Sequence, residues 1–517
     1  MNETKRMAVV DVGSNSIRLV IYAIDEQRRY RSLYNFKIAA RLSEYLDEHD
    51  VLRPEGIRVL DQVFVQFNAV LRAHEVSDVK AVATAAIRRA QNRSEILESI
   101  YEKTAIKINV ITGEEEAYYG YLATVNSIQL KDGLIFDMGG SSTEVAYFKD
   151  RELVHSHSFS IGALTLAKLW SDDPASIKRV KKLAHDAFAS IPWLQNLNVP
   201  LIGIGGSVRQ IAAVQRRRHQ YPVSGLHQYE MNDTQLLDTY HYLKKIPRIK
   251  RGEVSGLSED RASSIVPAGL FISELMHYTK GKRLIISRKG LRDGLLYDSL
   301  LSDRQTRRFV NVKKETITQL MREFNLSTEY GKAIYALSRE LYNCIYANEQ
   351  EEDQENMEEL LYFSSLLRQL GTYIDEEHAH AHTLNVLTNR SLDGFSHQER
   401  ISMALLSSFT SVKRLRKRAI QYKRILNGRT VRKLEVMGAI LRMATSLYVT
   451  GRDVIEKIEL KNTGRSRHPQ FIFHVKKGEP YYFEQQHTTL SLKQLERATK
   501  TKYRMLFVEH QPTEESS

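Results

Sequence analysis

Two stretches of the chain decide its reading: Val9-Val10-Asp11-Val12-Gly13-Ser14-Asn15-Ser16 and Ile135-Phe136-Asp137-Met138-Gly139-Gly140-Ser141-Ser142-Thr143. Each runs from an apolar strand through Asp, any residue and Gly into small hydroxyl residues. Each then continues into further strand-like sequence, so each reads as a hairpin with a glycine-rich turn. Such a turn lets backbone N–H groups approach an anion, because glycine has no Cβ and tolerates left-handed dihedrals. Nearby Ser and Asn add side-chain donors. An Asp at the strand end would repel phosphate directly, so its role is to hold a cation, or a cation-bound water, against the phosphate. One such loop is an ordinary hairpin turn. Two related loops imply a duplicated α/β architecture, with a cleft between two lobes as the place for a ligand.

Around these loops the pattern is alternating strand and helix. Met7 to Val10 and Ile17 to Ile24 are β-rich, and Pro54 to Ala73 places Ile57, Leu60, Val63, Phe64, Phe67 and Leu71 at helical spacing. Val79 to Thr84 and Ile106 to Ile111 again read as strands, as do Leu134 to Phe136, Pro200 to Ile204 and Arg283 to Ser287. Long helical periodicities then take over, as in Tyr335 to Tyr346 and Met357 to Ile374. The final stretch alternates at Gln470 to Val475 and closes with helix then strand. The expected division is lobe I over 1–125, lobe II over 126–302, a helical domain over 303–450 and a small α+β module over 451–517, with Gln511 to Ser517 frayed.

Composition narrows the class. The 517 residues carry 75 Lys+Arg against 62 Asp+Glu, a net +13, with an ordinary 42% hydrophobic content, so disorder is excluded as the main state. A basic surplus on a folded chain points to a polyanionic partner or to solubility alone. The single cysteine, Cys344, excludes an intramolecular disulfide framework and any multi-cysteine metal site. The N-terminus lacks the apolar core of a secretory signal, and no apolar run nears the roughly 18 residues of a membrane helix. A cytoplasmic protein without membrane contact is expected.

Three further segments hold candidate chemistry. Leu201-Ile202-Gly203-Ile204-Gly205-Gly206-Ser207-Val208-Arg209 leads from strand to helix, either as an anion site at the helix N-terminus or as close helix–sheet packing. Thr112-Gly113-Glu114-Glu115-Glu116-Ala117 opens a helix with three carboxylates. Successive helix positions point about 100° apart, so only one of the three faces a given cleft. Arg88 follows another strand and either grips a phosphate in bidentate fashion or lies on a basic face with Arg89.

In these residues the chain resembles the exopolyphosphatase / guanosine pentaphosphate phosphatase (Ppx/GppA) family of the sugar kinase, Hsp70 and actin superfamily. The resemblance runs in order through Asp11 to Ser16, Thr84 to Arg88, Thr112 to Ala117, Asp137 to Glu144, Gly203 to Ser207 and Gly290-Leu291-Arg292-Asp293-Gly294-Leu295-Leu296. It implies two actin/Hsp70-like (ribonuclease H-like) lobes and Mg²⁺-dependent hydrolysis of the terminal phosphoanhydride of inorganic polyphosphate or of guanosine pentaphosphate. It further implies Glu116 as the catalytic residue that activates water. Ser14, Asn15, Arg88, Gly139, Gly140, Ser142, Gly205 and Gly206 are implied to bind phosphate, and Asp11, Asp137 and Glu144 to bind metal. One departure stands inside the site: Ser141 replaces the third glycine usual after Asp-x, so altered loop geometry is expected.

The helical region is similar to the HD-type domain of longer family members, in degenerate form. Where the family often shows His-Asp-Ile-Gly, this chain reads Arg368-Gln369-Leu370-Gly371, which makes His378, His380 and His382 surface or packing residues rather than metal ligands. Ile401 to Leu434 contains ten Lys or Arg and no Asp or Glu, whereas Glu349 to Glu359 is an acidic cluster. Lys413, Arg414, Arg416, Lys417, Arg418, Lys423 and Arg424 form either a track for long polyphosphate or one solvated helix face. A processive exopolyphosphatase, as a homodimer, is the expected function. The alternatives are a guanosine pentaphosphate (or tetraphosphate) hydrolase, a non-catalytic polyphosphate or alarmone binder, and a nucleic-acid binder without a recognisable docking motif.

Overall fold

The computed structural model describes residues 5–346, 354–462 and 468–509. Part of the acidic cluster, Glu349 to Asp353, and the tail Gln511 to Ser517 lie outside the described residues. The described residues form two compact units, one of residues up to 221 with 226–312 and one of 222–225 with 313–517.

The first unit contains both lobes. In lobe I, β1 (Lys5–Val12), β2 (Ile17–Ile24), β3 (Tyr30–Ile38), β4 (Asp78–Ala83) and β5 (Ile108–Val110) form one sheet in the order β3-β2-β1-β4-β5. In lobe II, β6 (Gly133–Met138), β7 (Thr143–Lys149), β8 (Glu152–Phe159), β9 (Leu201–Ile204), β10 (Tyr229–Asn232) and β11 (Arg283–Ile286) take the order β10-β11-β9-β6-β7-β8. Apart from the added edge strand β10, the two sheets have the same connectivity. An antiparallel three-strand meander comes first; its first strand then pairs in parallel with one further strand, which in turn pairs in parallel with another. The echo between the two loop sequences is therefore a duplication of topology, the two-lobed actin/Hsp70-like architecture.

The central strands are covered on both faces. Met7, Ala8, Val9 and Val10 of β1 are all buried, as expected where helices lie on both sides of a sheet. One face packs on the helix Pro54–Ala73 through Leu60, Phe64 and Phe67, from a helix that matches the expected span end to end. The other face receives the helix Leu291–Leu300, whose Leu291, Leu295 and Leu296 cluster with Met7, Val9 and Val20. That second contact brings a helix from the end of the unit against the first strand.

The second unit is mainly helical, with an apolar centre of residues such as Ile317, Leu320, Phe363, Leu367, Leu387 and Met403. The helix expected from Met357 to Ile374 divides: an α-helix spans Gln354–Leu366, and a short 3₁₀ turn, Leu370–Tyr373, follows. The reason is steric. Gly371 lies so close to the Ala379 carbonyl that no Cβ fits there, so the chain must turn to admit the next helix, Ala379–Asn389. The three strands β12 (Ile455–Lys461), β13 (Gln470–Val475) and β14 (Arg504–Glu509), with the helix Tyr482–Thr499, belong to this same unit. Among the described residues no helix is long and apolar enough to cross a membrane.

Candidate active site

The two glycine loops are built alike and meet. In lobe I the Gly13 N–H donates to the Ser16 carbonyl at 3.1 Å; in lobe II the Gly139 N–H donates to the Ser142 carbonyl at 2.9 Å. Neither glycine is left-handed. Each is glycine because a Cβ would stand 3.2 Å (position 13) or 3.3 Å (position 139) from the carbonyl that closes its turn. A Cβ on Gly140 would lie 3.4 Å from the Cβ of Ser14, so the loops face one another across the cleft between the lobes. Ser14 and Ser142 are both buried there.

Gly205 is the position where backbone conformation demands glycine. Its φ is +91°, and a Cβ would stand 2.5 Å from Asp137 Oδ1. It caps the helix Gly206–Arg218 without a side chain and holds the exposed helix end against the second loop. Gly205→Ala is expected to lower stability by about 1–3 kcal/mol in urea unfolding and to depress turnover, by pushing Asp137 away. Gly428, a helical residue with no atom within 4 Å of its would-be Cβ, is the control. Gly428→Ala should be neutral or stabilising by about 0.5 kcal/mol.

The helix Gly113–Val125 settles which of the three adjacent glutamates faces the cleft. Thr112 and Glu115 form a reciprocal capping box: Thr112 N–H donates to Glu115 Oε2 at 2.7 Å and Glu115 N–H to Thr112 Oγ1 at 3.1 Å. Glu114 and Glu115 are exposed. Glu116 turns inward, where Arg88 Nη1 donates to its Oε2 at 3.2 Å and to the Ile111 carbonyl at 2.9 Å. Arg88 thus pairs with the glutamate instead of lying on a basic face with Arg89, which pairs with Asp50.

Four carboxylates come together around this point. Burial raises the Glu116 carboxyl well above its ordinary range, the neighbouring Glu144 and Asp137 charges add to the effect, and Arg88 opposes it. Glu144 is buried and accepts from Ser158 Oγ at 2.8 Å, and burial likewise raises its pKa, with Asp137 adding. Asp137 is pushed up to about 6, chiefly by burial with Asp11 adding, against the pull of Arg209, Arg261 and Arg292. Asp11 is raised by burial against Arg292 and Arg18.

Those arginines are the part of the site that motif reading did not assign. Arg292 Nε lies 3.7 Å from Asp11 Oδ2. Arg209 Nε donates to the Gly205 carbonyl at 2.6 Å, and Arg261 Nη1 donates to Ser207 Oγ at 2.9 Å. Burial first, then mutual repulsion, lowers Arg18 and brings Arg209 down to about 10. Arg18 had a signal: β-sheet pairing sets Asp11 opposite Arg18 and Asp137 opposite Glu144, so the two are equivalent positions of the duplication, and continuing the echo seven residues past each Asp reaches them. Arg209 and Arg292 stand inside quoted motifs. Arg261 reaches the cleft from a distant 3₁₀ turn, Glu259–Arg261, and no local pattern marks it.

Asn15 is half-buried, and its carbonyl accepts from Arg41 N–H at 3.0 Å. Gly206 is backed by the Arg261 guanidinium. The basic residues Lys413, Arg414, Arg416, Lys417, Arg418, Lys423 and Arg424 lie in the other unit. All but half-buried Arg418 are exposed. Arg416 is held by Glu435 through two 2.7 Å hydrogen bonds, so the first acidic residue after the uncompensated run neutralises it. His378 is exposed beside Asp375 at 3.4 Å. Among the described residues no group of three or more His, Cys, Asp or Glu side chains could by itself hold a metal ion.

Paired lobes whose glycine loops converge on buried or half-buried carboxylates and half-buried arginines define a two-lobed protein of the actin/Hsp70-like class. Sequence comparison narrows this: the profile of the Ppx/GppA phosphatase family matches residues 20–303, and that of its domain III matches residues 312–497. The chain belongs to the Ppx/GppA phosphatase family. Similar solved structures include a Ppx/GppA family member from Aquifex aeolicus (26% identity, TM-score 0.53, covering 59% of this chain and 100% of that one). A protein described as an exopolyphosphatase from Cytophaga hutchinsonii is similar in fold (24%, TM-score 0.53, 58% and 98%). A bifunctional 3-dehydroquinate synthase/phosphatase from Fusobacterium nucleatum is 23% identical over 295 residues, 54% of this chain. The chain spans 44% of the length of that relative.

Proposed function

We propose that the protein is an exopolyphosphatase: it hydrolyses the terminal phosphoanhydride of long-chain inorganic polyphosphate, releasing orthophosphate, with Glu116 as general base. The observation that carries this reading is Glu116 itself, an inward carboxylate oriented by Arg88 beside two facing anion loops. In the reaction a water oxygen forms a bond to the terminal phosphorus, its proton passes to Glu116 Oε, and the bridging P–O bond breaks, leaving a chain one phosphate shorter. The glycine-loop N–H groups and Arg18, Arg209, Arg261 and Arg292 neutralise the phosphate oxygens, which a loose transition state requires above all else.

The donor set fits Mg²⁺. Asp11, Asp137 and Glu144 offer hard oxygens; burial raises the proton affinity of all three, the Asp11 charge adds to that of Asp137, and the Asp137 charge to that of Glu144. An incomplete protein cage suits an ion that keeps waters and takes substrate phosphate as ligand. Because no three described side chains form a cage by themselves, Asp11, Asp137 and Glu144 would hold it together with waters and substrate phosphate, and the ion would supply further neutralisation of the phosphate oxygens. The exposed Lys413, Arg414, Lys417, Lys423 and Arg424 favour a long polyanion, held by counterion release.

Phosphate release from long-chain polyphosphate and from guanosine pentaphosphate, measured side by side with Mg²⁺, tests the reading. Higher kcat/KM on polyphosphate is expected. Preference for the nucleotide would replace the substrate, and binding of both without turnover would make the protein a non-catalytic binder.

A further inference from the structure

Among the described residues, the second unit contains a cluster of arginines that no carboxylate pairs with. Arg368 is buried just beyond the helix Gln354–Leu366; its Nη1 donates to the Ser407 carbonyl at 2.9 Å, and its buried Nε has no hydrogen-bond partner. Arg414 and Arg418 stand four residues apart on the helix Val412–Ala419, hence on one face. Arg442 comes from the helix Gly428–Leu447 and His380 from the helix Ala379–Asn389, with the buried His380 Nδ1 also lacking a partner. The polar contacts of Arg418 are to Ser408, its carbonyl at 3.3 Å and its hydroxyl at 3.2 Å, and Arg414 reaches Thr410 Oγ1 at 3.5 Å. All are neutral acceptors.

Exposure grades through the group: Arg414 is exposed, Arg418, Arg442 and His380 are half-buried, and Arg368 is buried. The four guanidinium groups act together on His380, bringing its imidazole down to about 4 with burial as the larger cause, so it stays neutral and adds no repulsion. Arg414 depresses Arg418 and Arg442 as well, although burial is the first cause for both. By contrast Arg416, between Arg414 and Arg418 in sequence, faces away and has its own carboxylate, Glu435. Buried charge without a counter-charge is costly, and the most buried member of this group, Arg368, keeps an unpaired guanidinium N–H.

We propose that Arg368, Arg414, Arg418 and Arg442, with His380, form a second anion site, which takes two adjacent phosphate groups. Arginine forks match phosphate oxygens in bidentate geometry, and a doubly phosphorylated group brings enough charge to balance several guanidiniums at once. The site lies within the second unit, shares only Arg414 with the residues proposed above to favour a long polyanion, and rests on contacts inside that unit.

The test uses the full chain and methylenediphosphonate, whose P–C–P bridge cannot be hydrolysed. Hydrogen exchange should slow on its addition in segments 366–384, 412–420 and 438–446. Arg414→Gln, at the exposed mouth and so harmless to folding, should weaken that protection about ten-fold in ligand concentration. Arg368→Met should abolish it while leaving slowed exchange around 11–18 and 137–144 intact. Without ligand, Arg368→Met should melt no lower than the parent, because it removes an uncompensated buried charge. Competition by tripolyphosphate and by GDP then separates a bare phosphate chain from a nucleoside diphosphate. Absence of protection in these segments in the parent, protection unchanged by Arg414→Gln, or failure of both competitors would overturn the proposal.

Discussion

Glu116→Gln is expected to reduce kcat for phosphate release by about 10²- to 10⁴-fold, the usual contribution of a general base, with KM nearly unchanged. The amide keeps the size of the side chain and can still accept from Arg88, whose Nη1 lies 3.2 Å from Oε2, but it cannot take a proton from water. Loss confined to kcat separates this role from substrate binding, which rests on the loops and arginines. The pH profile gives a second reading. Burial and the Glu144 charge raise the proton affinity of Glu116, so it is protonated and inactive as a base at low pH, and activity climbs as pH rises through its pKa. That ascending limb should disappear in Glu116→Gln. Glu115→Gln is the matched comparison: Glu115 closes the capping box with Thr112, and a glutamine oxygen can still accept from Thr112 N–H, so both stability and kcat should stay nearly unchanged. The reverse pattern, an active Glu116→Gln and an inactive Glu115→Gln, would show that the base is the other carboxylate.

Arg292→Met should cut kcat/KM by about 10³-fold, the lower range for an arginine that stabilises charge in phosphoryl transfer. Arg292 belongs to the helix Leu291–Leu300, packs against β1 of lobe I, and places its Nε 3.7 Å from Asp11 Oδ2. At 3.7 Å this is a long ion pair, of a kind that contributes only about 0–1 kcal/mol, so the melting temperature should move little. Arg292→Lys restores the charge but not the fork and should recover part of the loss. A kcat/KM within three-fold of the parent for Arg292→Met would remove this residue from the site.

Much of this was legible without coordinates, for identifiable reasons. Strand–Asp–x–Gly–small is a local code, since chain neighbours make the turn, and both turns close as their sequences require, through Gly13 to Ser16 and Gly139 to Ser142. The helix Pro54–Ala73 was equally plain, because its apolar residues recur at helical spacing after a proline that only a first turn accepts. Helical geometry narrowed the inward glutamate to one of three and the family resemblance pointed to Glu116; what the structure adds is the physical reason, the capping box that occupies Glu115 and the ion pair that Arg88 makes with Glu116 across 28 positions.

The amino-acid sequence by itself determined the duplicated lobes, the two glycine-rich turns and the family, because each is written in short runs whose hydrogen bonds close within a few residues. Only the tertiary structure decided which charges meet. Arg18, Arg209, Arg261 and Arg292 reach the two aspartates from four separate elements, and Arg368, Arg414, Arg418 and Arg442 converge from three more around His380. It likewise assigned Arg416, one of the basic run, to Glu435. Coulomb energy depends on distance and burial and not on separation along the chain. A lysine or arginine therefore reads the same in sequence whether it lies on a wet helix face or is buried like Arg368, and packing alone tells the two apart.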